Sequence, residues 1–207
     1  MLYSLVLPVI EIFMAAYIMR YFSDTTYVAL FQVAMYTGII ITSLTNGFLL
    51  NRFKVAHLYS LGILLSGLSM AGMMFVKDIT LLGLIISGTL IGAASGFFWT
   101  NRSLMALNST ADENRNYFFG LETFFFTISN ITVPMLIGVL LASFDGATIF
   151  GRVVDVYSGY RIVTILVFAI TIVAVFWLSR GKYENPPKKK FLFLHFVKLW
   201  NKQILLA

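Results

Sequence analysis

Residues 162–178 read IVTILVFAITIVAVFWL, a run with no charge whose only polar side-chain groups are two threonine hydroxyls and the indole of Trp177. A run of roughly 20 apolar residues matches the hydrocarbon thickness that a helix must cross. Within lipid every backbone N–H and C=O must find a partner inside the protein, so such a run is helical and not an open strand. Working outward, five more runs of this kind precede it, and the expected spans cover about 2–21, 27–48, 57–76, 80–100, 118–142 and 160–179. Hydrophobic residues make up 59% of the chain, against roughly 45 to 50% in a soluble domain. The expected fold is therefore all-α: a polytopic membrane bundle over residues 1–180, followed by a basic cytoplasmic linker over 181–207. The first span carries Glu11 and Arg20 and lacks a basic leading segment, which distinguishes it from a cleavable secretory signal.

The breaks between spans divide the basic residues unequally. Arg52, Lys54, Arg102, Arg115, Arg180, Lys182, Lys188, Lys189, Lys190, Lys198 and Lys202 fall on one side, and only Arg20, Lys77, Arg152 and Arg161 on the other. Positive charge resists translocation, so the first side is expected to be cytoplasmic, with both termini on it. The net charge of +6 then reflects orientation and anionic headgroups, and nucleic acid is not an expected partner. In the tail, Lys188, His195, Lys198 and Lys202 share one helical face and Leu192, Phe196, Leu199 and Trp200 another, as in a helix lying in the headgroup layer. The terminal Ile204-Leu205-Leu206-Ala207 looks like the start of a seventh span.

Several chemistries lack their parts. With no cysteine there is no disulfide framework, thiol nucleophile or thiolate metal site. His57 and His195 form no His-Glu-x-x-His pair, Gly92-Ala93-Ala94-Ser95-Gly96 lacks the spacing of a serine nucleophile elbow, and no lysine-bearing glycine loop follows a strand. Neither an enzyme, a metal nor a cofactor is expected, and no selectivity ring marks a channel.

What polarity the spans contain is concentrated. Glu11 stands near the middle of the first span, where a charge costs about 2.5–3.5 kcal/mol even on lenient insertion scales. Ser4, Pro8, Glu11 and Ala15 form one stripe, and Pro8 cannot donate to the Ser4 carbonyl. Glu11 therefore either binds substrate or a proton, or is a protonated acid hydrogen-bonded between helices. Gln32, Tyr36 and Ser43 suit an inward face of the second span. In the fifth, Thr123, Thr127, Asn130, Pro134 and Gly138 share a face that reads equally as substrate wall or helix interface, with a bend at Pro134. Substrate or proton binding is assigned to Glu11, Gln32, Tyr36 and Asn130. Gly88, Gly92 and Gly96 read as a packing face. Arg102 is a candidate ion-pair partner of Glu122, beside its simpler reading as a positive anchor.

The segment Gly47-Phe48-Leu49-Leu50-Asn51-Arg52-Phe53-Lys54, between the second and third spans, resembles the major facilitator superfamily motif G-x-L-A-D-R-x-G-R-R. Gly47, Leu49 and Arg52 match, Asn51 replaces the acidic residue, and Lys54 and Val55 replace glycine and arginine. The segment from Glu113 to Glu122 is similar to the corresponding connection in poorly characterised bacterial members. The resemblance implies the N-terminal six-helix half of a transporter, built as two inverted three-helix repeats, multi-pass in a bacterial inner membrane. It implies that Gly47 packs tightly and that Asn51 and Arg52 latch a cytoplasmic gate. The expected function is secondary active transport of a small solute by alternating access, with proton coupling open at Glu11. The expected partners are a small-molecule substrate, the lipid bilayer, and a C-terminal half or second copy. The competing reading is a six-helix scaffold or assembly partner that transports nothing.

Overall fold

The computed structural model describes residues 2–76, 78–144, 146, 148–149, 152–153, 155–181 and 183, with the backbone alone at 2–5, 148–149 and 152–153. Six helices follow in order: α1 Leu2–Phe22, α2 Thr25–Leu49, α3 Val55–Phe75, α4 Leu81–Ser109, α5 Asp112–Phe144 and α6 Val156–Arg180. Helices α2 to α6 are long and apolar enough to cross a membrane. The 21 residues of α1 have the length as well. The chain is thus a helical membrane bundle. The expected tail helix and seventh span lie outside the described residues.

The turns are set by local chemistry. Ser23, with φ 52, takes the left-handed conformation, and its N–H reaches Met19 O at 2.9 Å to close α1. Asp24 then turns extended and accepts the Thr26 N–H at 2.8 Å, capping α2. That bond holds the Asp24 carboxyl below its ordinary pKa. Thr80 caps α4 by accepting the Gly83 N–H at 3.1 Å. Asp155 caps α6 through the Ser158 N–H at 2.8 Å, and its carboxyl is likewise lowered, with the Ser158 hydroxyl and backbone as causes.

Two expectations need correction. The connection anticipated from Asn101 to Tyr117 is helical except for Thr110 and Ala111, because that stretch has no glycine or proline to stop either helix. Arg115 closes the joint, donating to Thr110 Oγ1 and to the Thr110 carbonyl at 3.3 Å each and pairing with Asp112. The all-α description has one small exception between α5 and α6. There β1 (Thr148–Ile149) pairs antiparallel with β2 (Arg152–Val153), Thr148 opposite Val153 and Ile149 opposite Arg152. Three of these four residues are β-branched, which suits a pleated pair.

Helix α4 packs most extensively on α2 and α3, α3 on α6, and α1 on α5 and α6. Glycines make the α2–α4 contact a backbone contact. A Cβ at Gly92 would collide with the Met35 carbonyl oxygen, one at Gly38 with that of Thr89, and one at Gly88 would stand 2.8 Å from that of Phe31. The small-residue stripe of α4 is thus a packing face. Across α3–α4, Ser69 Oγ donates to Ser87 O at 2.8 Å and Ser87 Oγ returns a longer bond, 3.4 Å, to Ser69 O. The inward stripe of α1 is Val6, Ile10, Met14 and Ile18, at i, i+4 spacing and almost wholly buried. It meets Met70 and Met74 of α3 and Val163 and Val167 of α6 in one core. Near the α1–α2 turn, Tyr17 packs edge-on against Tyr160 at 5.3 Å, and the Tyr21 hydroxyl accepts the Ile79 N–H at 3.3 Å.

Candidate substrate cleft

Helical periodicity builds a cleft of about 280 Å3 from three short ladders. Glu11 and Ala15 come from α1. Phe31, Met35 and Ile39, with Gln32 and Tyr36 beside them, come from α2. Ile91, Ser95 and Trp99 come from α4. Each ladder repeats at i, i+4, so each helix presents one stripe. The stripe on α1 is the one next to its buried core stripe, which leaves the Glu11 side chain exposed on the cleft while Ile10 and Met14 are sealed. The glycine contact brings α4 close enough to α2 for Trp99 and Tyr36 to line the same space.

Three of the four residues expected to bind, Glu11, Gln32 and Tyr36, therefore line one cleft, and Asn130 does not. Its amide Nδ2 donates to Phe126 O of its own helix at 2.9 Å. On the same α5 stripe Thr123, Thr127 and Gly138 are exposed, so within the described residues it is not a helix interface. The cleft is lined by α1, α2 and α4.

Glu11 is the one charged residue among those lining the cleft, and among the described residues it has neither a hydrogen bond nor an ion pair. Arg102 lies one turn beyond Trp99. Its Nε donates to Glu122 Oε1 at 2.7 Å, and its guanidinium carbon sits 4.7 Å from the Trp99 ring centroid and 5.9 Å from that of Phe98. The cation is committed to Glu122 of α5 and to the aromatic rings of Trp99 and Phe98. Trp99 is also held edge-on by Phe126 at 5.7 Å.

In the gate motif, Asn51 Nδ2 reaches the Gly47 carbonyl at 3.5 Å and Arg52 is exposed. A buried polar contact of this end was missed by the sequence reading. Asn46 and Asn101, both almost fully buried, exchange amide bonds: Asn101 Nδ2 to Asn46 Oδ1 at 2.8 Å and Asn46 Nδ2 to Asn101 Oδ1 at 3.3 Å. Asn101 Nδ2 also donates to Phe97 O at 2.8 Å. The available signal was the series Gly38, Thr42, Asn46, a small and polar stripe at i, i+4 on α2.

A helical membrane bundle with a largely apolar, carboxyl-bearing cleft among its helices is the class that fold and site define. The profile of the Major Facilitator Superfamily matches residues 1–207, and the chain belongs to that family of membrane transporters. No curated protein and no solved structure matches it.

Proposed function

We propose that this chain is the N-terminal six-helix half of a secondary active transporter that moves a small solute by alternating access, with Glu11 as the binding and proton-accepting group. The observation that carries the reading is the convergence of Glu11, Gln32 and Tyr36 on one cleft between α1, α2 and α4. A carboxyl without a partner among the described residues is expensive at membrane depth unless water, a proton or a ligand attends it. The helix pairing supports two inverted repeats. Exchanging α1–α3 with α4–α6 turns the α2–α4 contact into α5–α1, turns α3–α4 into α6–α1, and returns α3–α6 to itself. Helices α2 and α5, equivalent in that exchange, are the least covered and offer a face to a C-terminal half or a second copy. Gly47, Asn51 and Arg52 form the cytoplasmic gate segment, the excess of basic residues around it favours both termini inside, and the likeness of the Glu113–Glu122 segment to bacterial members favours a bacterial inner membrane.

The test is flux through the full-length protein in proteoliposomes, with a pH-sensitive dye inside and a solute panel outside. Glu11→Gln is expected to lower proton-coupled flux at least about ten-fold, as removal of an essential acid or base does. Unchanged coupled flux in that variant would defeat the assignment.

A further inference from the structure

We propose that the cleft selects an organic monocation with a compact aromatic or apolar body, its charge held by the Glu11 carboxylate and its body by the faces of Trp99 and Tyr36. This deepens the transport reading of the same cleft and rests on it. Charge comes first. Glu11 brings the one ionisable carboxyl to the lining and has no partner among the described residues, and no lysine, arginine or histidine is among the described residues that line the space. The nearby cation, Arg102, is already bound by Glu122 and lies against the tryptophan ring, so it does not neutralise Glu11. A positive ligand supplies the missing counter-charge. A negative one meets a like charge with no cation among the lining groups to offset it.

The walls make the same selection. Indole and phenol faces attract cations through their ring quadrupoles, most strongly where water is excluded. Phe31, Met35, Ile39 and Ile91 give the body of the ligand an apolar surface. The remaining polar groups, the Gln32 amide and the Ser95 hydroxyl, are too few to solvate a sugar's ring of hydroxyls. The volume, about 280 Å3, lies at the lower edge of the range for drug-sized pockets, roughly 300–1,000 Å3. One or two rings fit it.

The probes are N-methylquinolinium and benzyltrimethylammonium as cations, quinoline as the neutral counterpart, and 1-naphthalenesulfonate as the anion. Binding to the full-length protein in nanodiscs is measured at neutral pH by calorimetry. The cations are expected to bind at least about ten-fold more tightly than quinoline, and the sulfonate not at all. Glu11→Gln removes the preference for the cation over quinoline while its melting temperature stays that of the wild type. Trp99→Leu weakens the cation about ten-fold and keeps the charge preference. Equal binding of cation and neutral ring, binding of the sulfonate, a preference that survives Glu11→Gln, or no binding of either cation at millimolar concentration would each overturn the proposal. Flux in proteoliposomes separates the two levels. Selective cation binding without flux retires the transport reading and leaves the ligand class standing, whereas flux of neutral or anionic solutes alone does the reverse.

Discussion

Gly92→Ala should loosen the bundle, and its cost can be worked from the α2–α4 contact. The added methyl would strike the Met35 carbonyl oxygen and lie 2.8 Å from its carbonyl carbon and 3.0 Å from its Cα. All three are backbone atoms, so no side chain can rotate away, and α2 and α4 must part by about 1 Å. A gap of that size forfeits a quarter to a half of each dispersion contact along the seam. Overpacking costs about 1–3 kcal/mol, against which alanine's better helix propensity returns at most about 1 kcal/mol. Because the overlap is with backbone atoms the cost is expected at the upper end of that range, for a net loss of about 2 kcal/mol. Gly138→Ala on α5 is the internal control. Its methyl would meet nothing within 4 Å, leaving only the propensity gain of up to about 1 kcal/mol. Both variants would be unfolded in mixed micelles by titration with SDS, followed by far-ultraviolet circular dichroism. A Gly92→Ala protein as stable as the wild type, or a Gly138→Ala protein equally damaged, would refute the claim that these helices touch through their backbones.

Asn101→Leu strands the buried Asn46 amide and should cost about 1–3 kcal/mol. In a double-mutant cycle with Asn46→Leu the coupling should fall near 0.6 and below about 1.7 kcal/mol, the span measured for polar pairs in membranes; additive losses would mean the two amides act separately. Asp155→Ala removes the α6 cap and should cost about 1 kcal/mol at neutral pH. Because the folded carboxyl is lowered below its unfolded value, that contribution is complete above the ordinary carboxylate pKa and disappears as pH falls through the lowered one. A stability gap between wild type and Asp155→Ala that widens on acidification would contradict it.

The helices were readable because hydrocarbon leaves the backbone no other conformation, and runs such as Ile162–Leu178 have no rival reading. Their ends were not. Hydropathy marks where a chain leaves lipid, and α4 and α5 continue past that point because nothing between Asn101 and Tyr117 breaks a helix. Glu11, Gln32 and Tyr36 stood out as polar residues in apolar stripes, and each stripe needed only its own helix to be read. Trp99 and Ser95 reach the same cleft but look like ordinary packing residues in an apolar span. Asn46 and Asn101 are 55 positions apart, so their pairing depends on a helix approach that no local pattern encodes. Asn130 marks the opposite limit: polarity signals the need for a partner without naming it, and the nearest carbonyl of its own helix sufficed.

The joint at Thr110–Ala111 has a mechanical consequence. Helices of 29 and 33 residues measure about 44 and 50 Å, well beyond the roughly 30 Å of hydrocarbon. In the proposed orientation their joined ends project past the hydrocarbon as a stiff mast, stayed by the arginine–carboxylate tie between Arg102 and Glu122. With an arm of about 25 Å, a tilt of about 10° swings its tip by about 4 Å. A dye placed at that tip would register rocking of the whole body from outside the lipid, without disturbing the cleft.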